Sequence, residues 1–241
     1  KKNKKWFASR VTADKYLSEE VLEELRQEGI RKHGNDFLWR QEYMCDWGQV
    51  SASSYYGGVL TVAEMSGRIA DYPYNQSHKV FTNFDLGISD STAIVMWQYI
   101  DKKVNVIDYF ETSQIGVRAI AQYVKSKPYN YAWHFLPHDG SVRDSDAIQR
   151  IQKYRDEGLI NSSLLRREAK DVGINRAVEG IGNTTFHKPN TEDLRRKLLL
   201  YKRKFNPLTG DYVGPEHKTE SHAADTVRYL FAAIDQMFNK E

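Results

Sequence analysis

Phe81-Thr82-Asn83-Phe84-Asp85-Leu86-Gly87 is an apolar, strand-like run that carries one carboxylate. Burying an ionised carboxylate costs several kcal/mol unless something positive compensates it. No Lys or Arg lies close on either side apart from Lys79, just ahead of the run. The run leads through Gly87 and Ser89-Asp90-Ser91 into a second one, Thr92 to Tyr99, as the first two strands of a β-meander would. An acid placed this way either caps a turn at a strand end or serves as a ligand at the rim of a sheet, and Asp85 alone supports both readings.

Working outward, three strands are expected at Val80–Leu86, Ala93–Ile100 and Val104–Phe110, the last two joined by the polar turn Asp101-Lys102-Lys103. A helix follows over Val117–Val124, stopped by Pro128, and then a fourth strand, Tyr131–Leu136, running into Pro137-His138-Asp139-Gly140. Residues 143–157 read as a helix ending at Gly158. Leu164-Leu165 reads as a short fifth strand, followed by helices around Ile174–Ile181 and from Glu192 to Lys202. Asn206-Pro207-Leu208-Thr209-Gly210 has the composition of a hairpin tip, and a last helix is expected from Ser221 to Met237. Residues 1–75 differ. Ser18 followed by Glu19 and Glu20 marks a helix start, Phe37 to Trp47 is an aromatic-rich helix or docking segment, and residues 51–75 read as loop and linker.

A chain of 241 residues with 40% hydrophobic and 12% aromatic content has room for one sizeable core, or one domain with an appendage. No apolar run approaches the roughly 18 residues of a membrane span. The basic start, Lys1-Lys2-Asn3-Lys4-Lys5, is not followed by a signal-like stretch. Cys45, the single cysteine, excludes an internal disulfide and fits a reducing compartment. The missing initiator Met is expected of a fragment. A net charge of +3 says little by itself, but Arg195, Arg196, Lys197, Lys202, Arg203 and Lys204 crowd together with Tyr201 and Phe205 between them. Such a cluster is either a solvated face or a phosphate-binding segment.

Three acids fall at suggestive places. Asp85 lies on the first strand, Asp139 directly after the fourth, and Asp225 in the first turns of the last helix. If the first and fourth strands are parallel neighbours, Asp85 and Asp139 converge at their C-terminal ends, and a helix packed beside them can add Asp225. Converging carboxylates repel one another unless cations sit between them, and hard oxygen ligands select Mg²⁺ or Mn²⁺. Each acid also has a plainer reading. Asp139-Gly140 is a common turn pair. Asp225 lies off the apolar arc of Ala223, Ala224, Val227, Leu230, Phe231 and Ile234, together with His222 and Tyr229, as on an exposed polar face. His222 shares the side of Asp225 and is a candidate to support it, or is simply polar at a helix start. Asp90 is a candidate from the loop after the first strand, with an Asx-turn as the alternative, and Asp144 and Asp146 are read as starting a helix. His138, His187 and His217 have no zinc-ligand spacing with the one cysteine. The phosphate-binding G-x-x-x-x-G-K-[ST] loop, the G-x-S-x-G elbow and the dinucleotide glycine fingerprint are all absent from the sequence.

Asp85-Leu86-Gly87 with Asp90-Ser91-Thr92-Ala93, Asp139-Gly140 after an apolar strand, and above all Ser221-His222-Ala223-Ala224-Asp225-Thr226-Val227-Arg228-Tyr229 resemble the C-terminal nuclease domain of the large terminase subunit of tailed bacteriophages. The resemblance covers about residues 79–238, including the basic helix and Gly-containing hairpin before the last helix. Residues 36–47 look like the segment that closes the family's ATPase domain, so residues 1–75 are expected to be its tail and linker, and 76–241 the nuclease. The resemblance implies an α/β, ribonuclease H-like fold: a mixed five-stranded sheet flanked by helices, with an N-terminal helical extension. It implies that Asp85, Asp139 and Asp225 hold two Mg²⁺ or Mn²⁺, with Asp85 bridging, and that His222 and Asp90 support them. It further implies cleavage of concatemeric viral DNA in the host cytoplasm, with double-stranded DNA, a small terminase subunit and the portal protein as partners and no membrane. A transposase, a junction resolvase and a non-catalytic DNA-docking module are the competing readings.

Overall fold

The computed structural model describes residues 11–33, 39–40, 43–45, 53–87, 91–141, 148–206, 209 and 211–238. The chain divides into two compact units, Lys1–Ser54 and Tyr55–Glu241. In the first, helix α1 (Glu19–His33) starts where expected. Ser18 Oγ accepts a hydrogen bond from the Val21 amide at 3.4 Å, and Glu19 and Glu20 occupy the first turn, where a helix N-terminus favours negative charge. Most of the aromatic segment 37–47 lies outside the described residues.

The second unit opens with α2 (Gly57–Met65) and strand β1 (Ile69–Ala70), so part of the stretch read as linker is built into it. There follow β2 (Val80–Asp85), β3 (Ser91–Ile100), β4 (Lys103–Ser113), α3 (Val117–Ser126), β5 (Tyr131–Leu136), α4 (Arg150–Asp156), β6 (Ser162–Leu164), α5 (Lys170–Ile181), β7 (Thr184–His187), α6 (Glu192–Leu200), β8 (Arg203–Asn206), β9 (Asp211–Pro215) and α7 (Glu220–Phe238). Seven described strands make one mixed sheet in the order β1-β7-β4-β3-β2-β5-β6, and β8-β9 form a separate ribbon. Five strands were expected in the sheet. The two additions, β1 at the edge and β7 between it and β4, are too short to show a periodic pattern, and they are specified by the parallel pairings β1–β7 and β7–β4. Among the described residues no helix is long and apolar enough to cross a membrane.

The meander is as expected. β3 pairs antiparallel with both β2 and β4. The β3–β4 turn places Asp101 and Lys102 at positive φ, 49° and 62°, the backbone that a two-residue hairpin needs to match strand twist. β2 and β5 are parallel neighbours, with Asn83 opposite Phe135. Side chains alternate across the sheet. Val80, Phe84, Ile94, Met96 and Ile107 meet Ile120, Ala121 and Val124 of α3 and Ile151 and Tyr154 of α4 on one face. Val95, Trp97, Val106 and Phe186 meet α2, α5, α6 and α7 on the other. The long α7 lies across β2 and β3 and is packed by α5 and α6. Gly180 of α5 is what allows that packing, since a Cβ there would run into the Phe231 ring.

Candidate functional site

Alternation along β2 decides which way its acid faces. Phe81, Asn83 and Asp85 share a parity. Phe81 stacks on Trp97 with centroids 4.7 Å apart. Asn83 donates from Nδ2 to the Tyr229 carbonyl of α7 at 2.8 Å and accepts from Trp97 Nε1 at 2.7 Å. Asp85, next on that face, therefore meets the start of α7, where His222 Nδ1 lies 2.8 Å from its Oδ2. The His222–Asp85 pair joins the first motif of the sequence to the last.

Asp139 follows β5 in a 3₁₀ turn, His138–Ser141. Because β5 runs parallel to β2, this turn leaves the sheet at the same edge as Asp85. Gly140 is buried, and a Cβ on it would come within 2.9 Å of Leu164 Cδ2 and 3.4 Å of Leu136 Cβ, so the turn lies close over β5 and β6. Asp139 Oδ1 is buried and has no hydrogen-bond partner among the described residues. Such a group carries an unrelieved desolvation penalty.

Asp225 does not lie on an exposed face. Its side chain is 16% exposed, held by Arg228 Nε at 3.2 Å and by Lys170 Nζ at 3.6 Å. Arg228 is buried, lies over the Tyr229 ring, and is 4.0 Å from Glu168, which itself pairs with Arg176. α7 is enclosed on several sides at once, which is why its polar flank faces the sheet rim rather than solvent.

Asp85 feels the charge of the other two acids. Burial pushes the Asp85 carboxyl up, the hydrogen bond from His222 opposes this, and the charges of Asp225 and Asp139 push it up further. Tyr229, partly buried, is raised as well by desolvation, with Asp225, Asp85 and Asp139 all contributing and Arg228 opposing. With Asp85 turned to His222 and Asp225 to its two cations, no three acid, imidazole or thiol groups among the described residues are drawn close enough to grip one ion. The donor chemistry nevertheless fits a divalent cation. All three donors are carboxylates, as Mg²⁺ and Mn²⁺ prefer. A cation would also relieve the mutual repulsion around Asp85 and give the buried Asp139 oxygen a partner.

Asp90, with Asp144 and Asp146, lies outside the described residues. The side chains of the basic segment do not all face one way. Lys197 is only 14% exposed, with its ammonium 2.6 Å from Glu111 and 3.0 Å from Asp193. Glu111 also accepts from the Tyr109 hydroxyl. Arg195 turns back to the Lys188 carbonyl at 2.9 Å and to Thr191 Oγ1 at 3.2 Å. Arg196 is exposed and pairs with Asp193 at 2.5 Å, Lys202 is 3.9 Å from Glu216, and Arg203 covers the Tyr55 ring at 5.0 Å. Lys204 sits on the exposed β8–β9 ribbon. Sequence reading missed Lys170, Glu168 and Asn83. Arg228, three residues after Asp225, was the one of these supporting groups with a local signal, the i,i+3 spacing.

No family model and no curated protein matches the chain. Solved structures do. The chain is similar to the nuclease domain of the large terminase of bacteriophage SPP1, crystallised with bound Mn, at 18% identity over 65% of this chain and 86% of that one, with a TM-score of 0.52. Against the large terminase nuclease of phage G20c with bound magnesium the values are 12%, 76%, 98% and 0.53. Against the large terminase of a thermophilic bacteriophage in complex with ADP they are 15%, 92%, 53% and 0.55, so the chain spans about half of that protein. The mixed sheet and its flanking helices thus have the ribonuclease H-like fold of the nuclease domain of phage large terminases.

Proposed function

We propose that this chain is a divalent-metal-dependent DNA endonuclease that cuts concatemeric viral DNA during genome packaging. The reading is supported by the placement of Asp85 and Asp139 at the same ends of parallel neighbouring strands, by the influence of the Asp139 and Asp225 charges on Asp85, and by a buried Asp139 oxygen that lacks a partner among the described residues. Asp85 takes the central position and Asp139 and Asp225 the flanks, together holding two Mg²⁺ or Mn²⁺. Bound there, such ions supply water activation and neutralise charge on the leaving oxygen of the phosphodiester.

The chain's own groups prepare that site. His222 fixes the direction of the Asp85 carboxylate through its 2.8 Å contact. Arg228, itself 4.0 Å from Glu168, holds Asp225 in one orientation. Lys170, 3.6 Å from Asp225, offers a positive charge at the edge of the site. Backbone phosphates away from the cut are met by Arg196, Lys202, Arg203 and Lys204, since Arg195 and Lys197 are committed to internal partners. Asp90 is assigned a supporting role on its sequence position alone. Double-stranded DNA is the substrate, a small terminase subunit and the portal protein are the partners, and the host cytoplasm is the setting. The N-terminal part is read as the tail and linker of an upstream ATPase domain, in keeping with a chain that covers 53% of the ADP-bound large terminase.

The test is incubation of the purified chain with supercoiled plasmid in Mn²⁺, Mg²⁺ or EDTA, beside Asp85→Ala. Metal-dependent nicking and linearisation are expected, falling to background in the variant. Cutting that survives Asp85→Ala would sink the assignment, and a folded chain that binds DNA but cuts in no metal would favour the docking module.

A further inference from the structure

A groove of about 490 Å³ is lined in part by His222, the hydrogen-bond partner of Asp85. Its walls come from the open end of the β3–β4 pair, where Ser91 and Ser113 are register partners, and from the segment that leads into α7, with His217, Lys218, Thr219 and Ser221. His222 belongs to both places, since it lines the groove and contacts Asp85. The lining contrasts with the site beside it. The described residues lining the groove include no acid: they are hydroxyls, imidazoles and one ammonium. Lys218 is 56% exposed and is paired at 2.9 Å with Glu216, a carboxylate that also lies 3.9 Å from Lys202, so its ammonium shares its counter-ion.

We propose that this groove seats a non-scissile backbone phosphate of the DNA strand being cut. The inference rests on the nuclease reading and adds to it the path of the strand. Hydroxyl donors, imidazole and ammonium together suit a phosphodiester oxygen, whereas they offer little to a cation. Among the described residues no aromatic ring other than imidazole and no carboxamide lines the groove, which suits backbone and not base edges. The contact is therefore independent of sequence. It also explains how a chain whose basic helix turns two of its cations inward can hold an anionic strand at an acidic centre. The strand crosses the carboxylates and leaves past His222 between Ser113 and Thr219, with Lys218 exchanging Glu216 for the phosphate.

The experiment uses the whole 241-residue chain. Binding of a fluorescein-labelled duplex is followed by anisotropy in EDTA across a salt series, and cleavage kinetics and Mn²⁺ affinity without DNA are measured separately. Lys218→Gln should weaken binding about fivefold and lower the slope of log K against log salt by about 0.9, one phosphate contact. The double variant S113A/T219V should raise KM about threefold with kcat and Mn²⁺ affinity unchanged, the mark of lost ground-state binding. Lys102→Gln, at the opposite end of the same strand pair, should leave the slope as it is. If Lys218→Gln gives the slope of Lys102→Gln and the hydroxyl variant has an unchanged KM while the parent chain cuts DNA, the groove is wrong and the nuclease reading stands. A parent chain that neither binds DNA nor binds Mn²⁺ overturns both.

Discussion

The two faces of the central sheet are built from the same strands and have opposite characters. Toward α3 and α4 the strands present Val80, Phe84, Ile94, Met96 and Ile107, and the helices answer with apolar side chains. Toward α7 they present Phe81, Asn83 and Asp85 along one strand, and the interior includes an amide, an arginine and a set of carboxylates beside its apolar cluster. One face is closed by burying apolar area, which is non-directional and tolerant. The other depends on pairings that have single geometries: Asn83 to both Trp97 and Tyr229, Arg228 to Asp225, His222 to Asp85. Binding sites for ions need directional donors, which the second face gathers toward its rim, whereas the first includes isolated polar pairs such as Thr82 with His134 at 2.8 Å. The first supplies the stability against which acids can be crowded together.

That division can be tested from the stable side first. Phe84→Ala removes a fully buried ring from the α3–α4 face, where it packs edge-on to Tyr154 at 5.3 Å. A loss of about 3–5 kcal/mol in urea unfolding is expected. Mn²⁺ affinity measured where the variant is still folded should not move. A coupled loss of metal binding would show that the faces are not separate.

His134 sharpens the contrast through pH. It is buried on β5, 2.8 Å from Thr82 Oγ1, and burial lowers its pKa from 6.5 to about 4. Between those values the unfolded chain binds a proton that the folded chain refuses. The stabilisation is therefore complete above about pH 6.5, declines as pH falls, and is gone below about pH 4, a change of about 3 kcal/mol. Unfolding curves at pH 7, 5.5 and 4.5 should show His134→Gln losing less stability than the parent on acidification. An equal loss in both chains would remove His134 from the account.

The smallest effect is expected at the helix pair behind the site. Gly180→Ala puts a methyl group against Phe231 and should cost about 1–3 kcal/mol by overpacking. Because Phe231 and Asp225 share α7, the same variant should also loosen metal binding, in contrast with Phe84→Ala. Calorimetry with Mn²⁺ on both variants makes the comparison, and a Gly180→Ala chain as stable as the parent would mean that α5 and α7 can separate freely.

What the sequence determined by itself was local and periodic. The alternation of β2, β3 and β4, the polar turn at Asp101-Lys102, the cap at Ser18 and the apolar arc of α7 are set by side-chain period and turn chemistry, which act over a few residues. Asp85 and Asp139 were legible as rim acids for the same reason, each sitting at the end of a recognisable strand. Other features had no such signal. β1 and β7 are too short for a pattern and exist because neighbouring strands leave pairing groups to satisfy. Lys197 reads as part of a basic face, yet is drawn inward because Glu111, far away in sequence and two strands across from Asp85, needs a counter-charge. Asp225 was equally compatible with solvent until α5, α6 and the sheet enclosed α7 from several sides. Burial and charge pairing are settled by which elements pack together, and a helical wheel holds only the geometry of one.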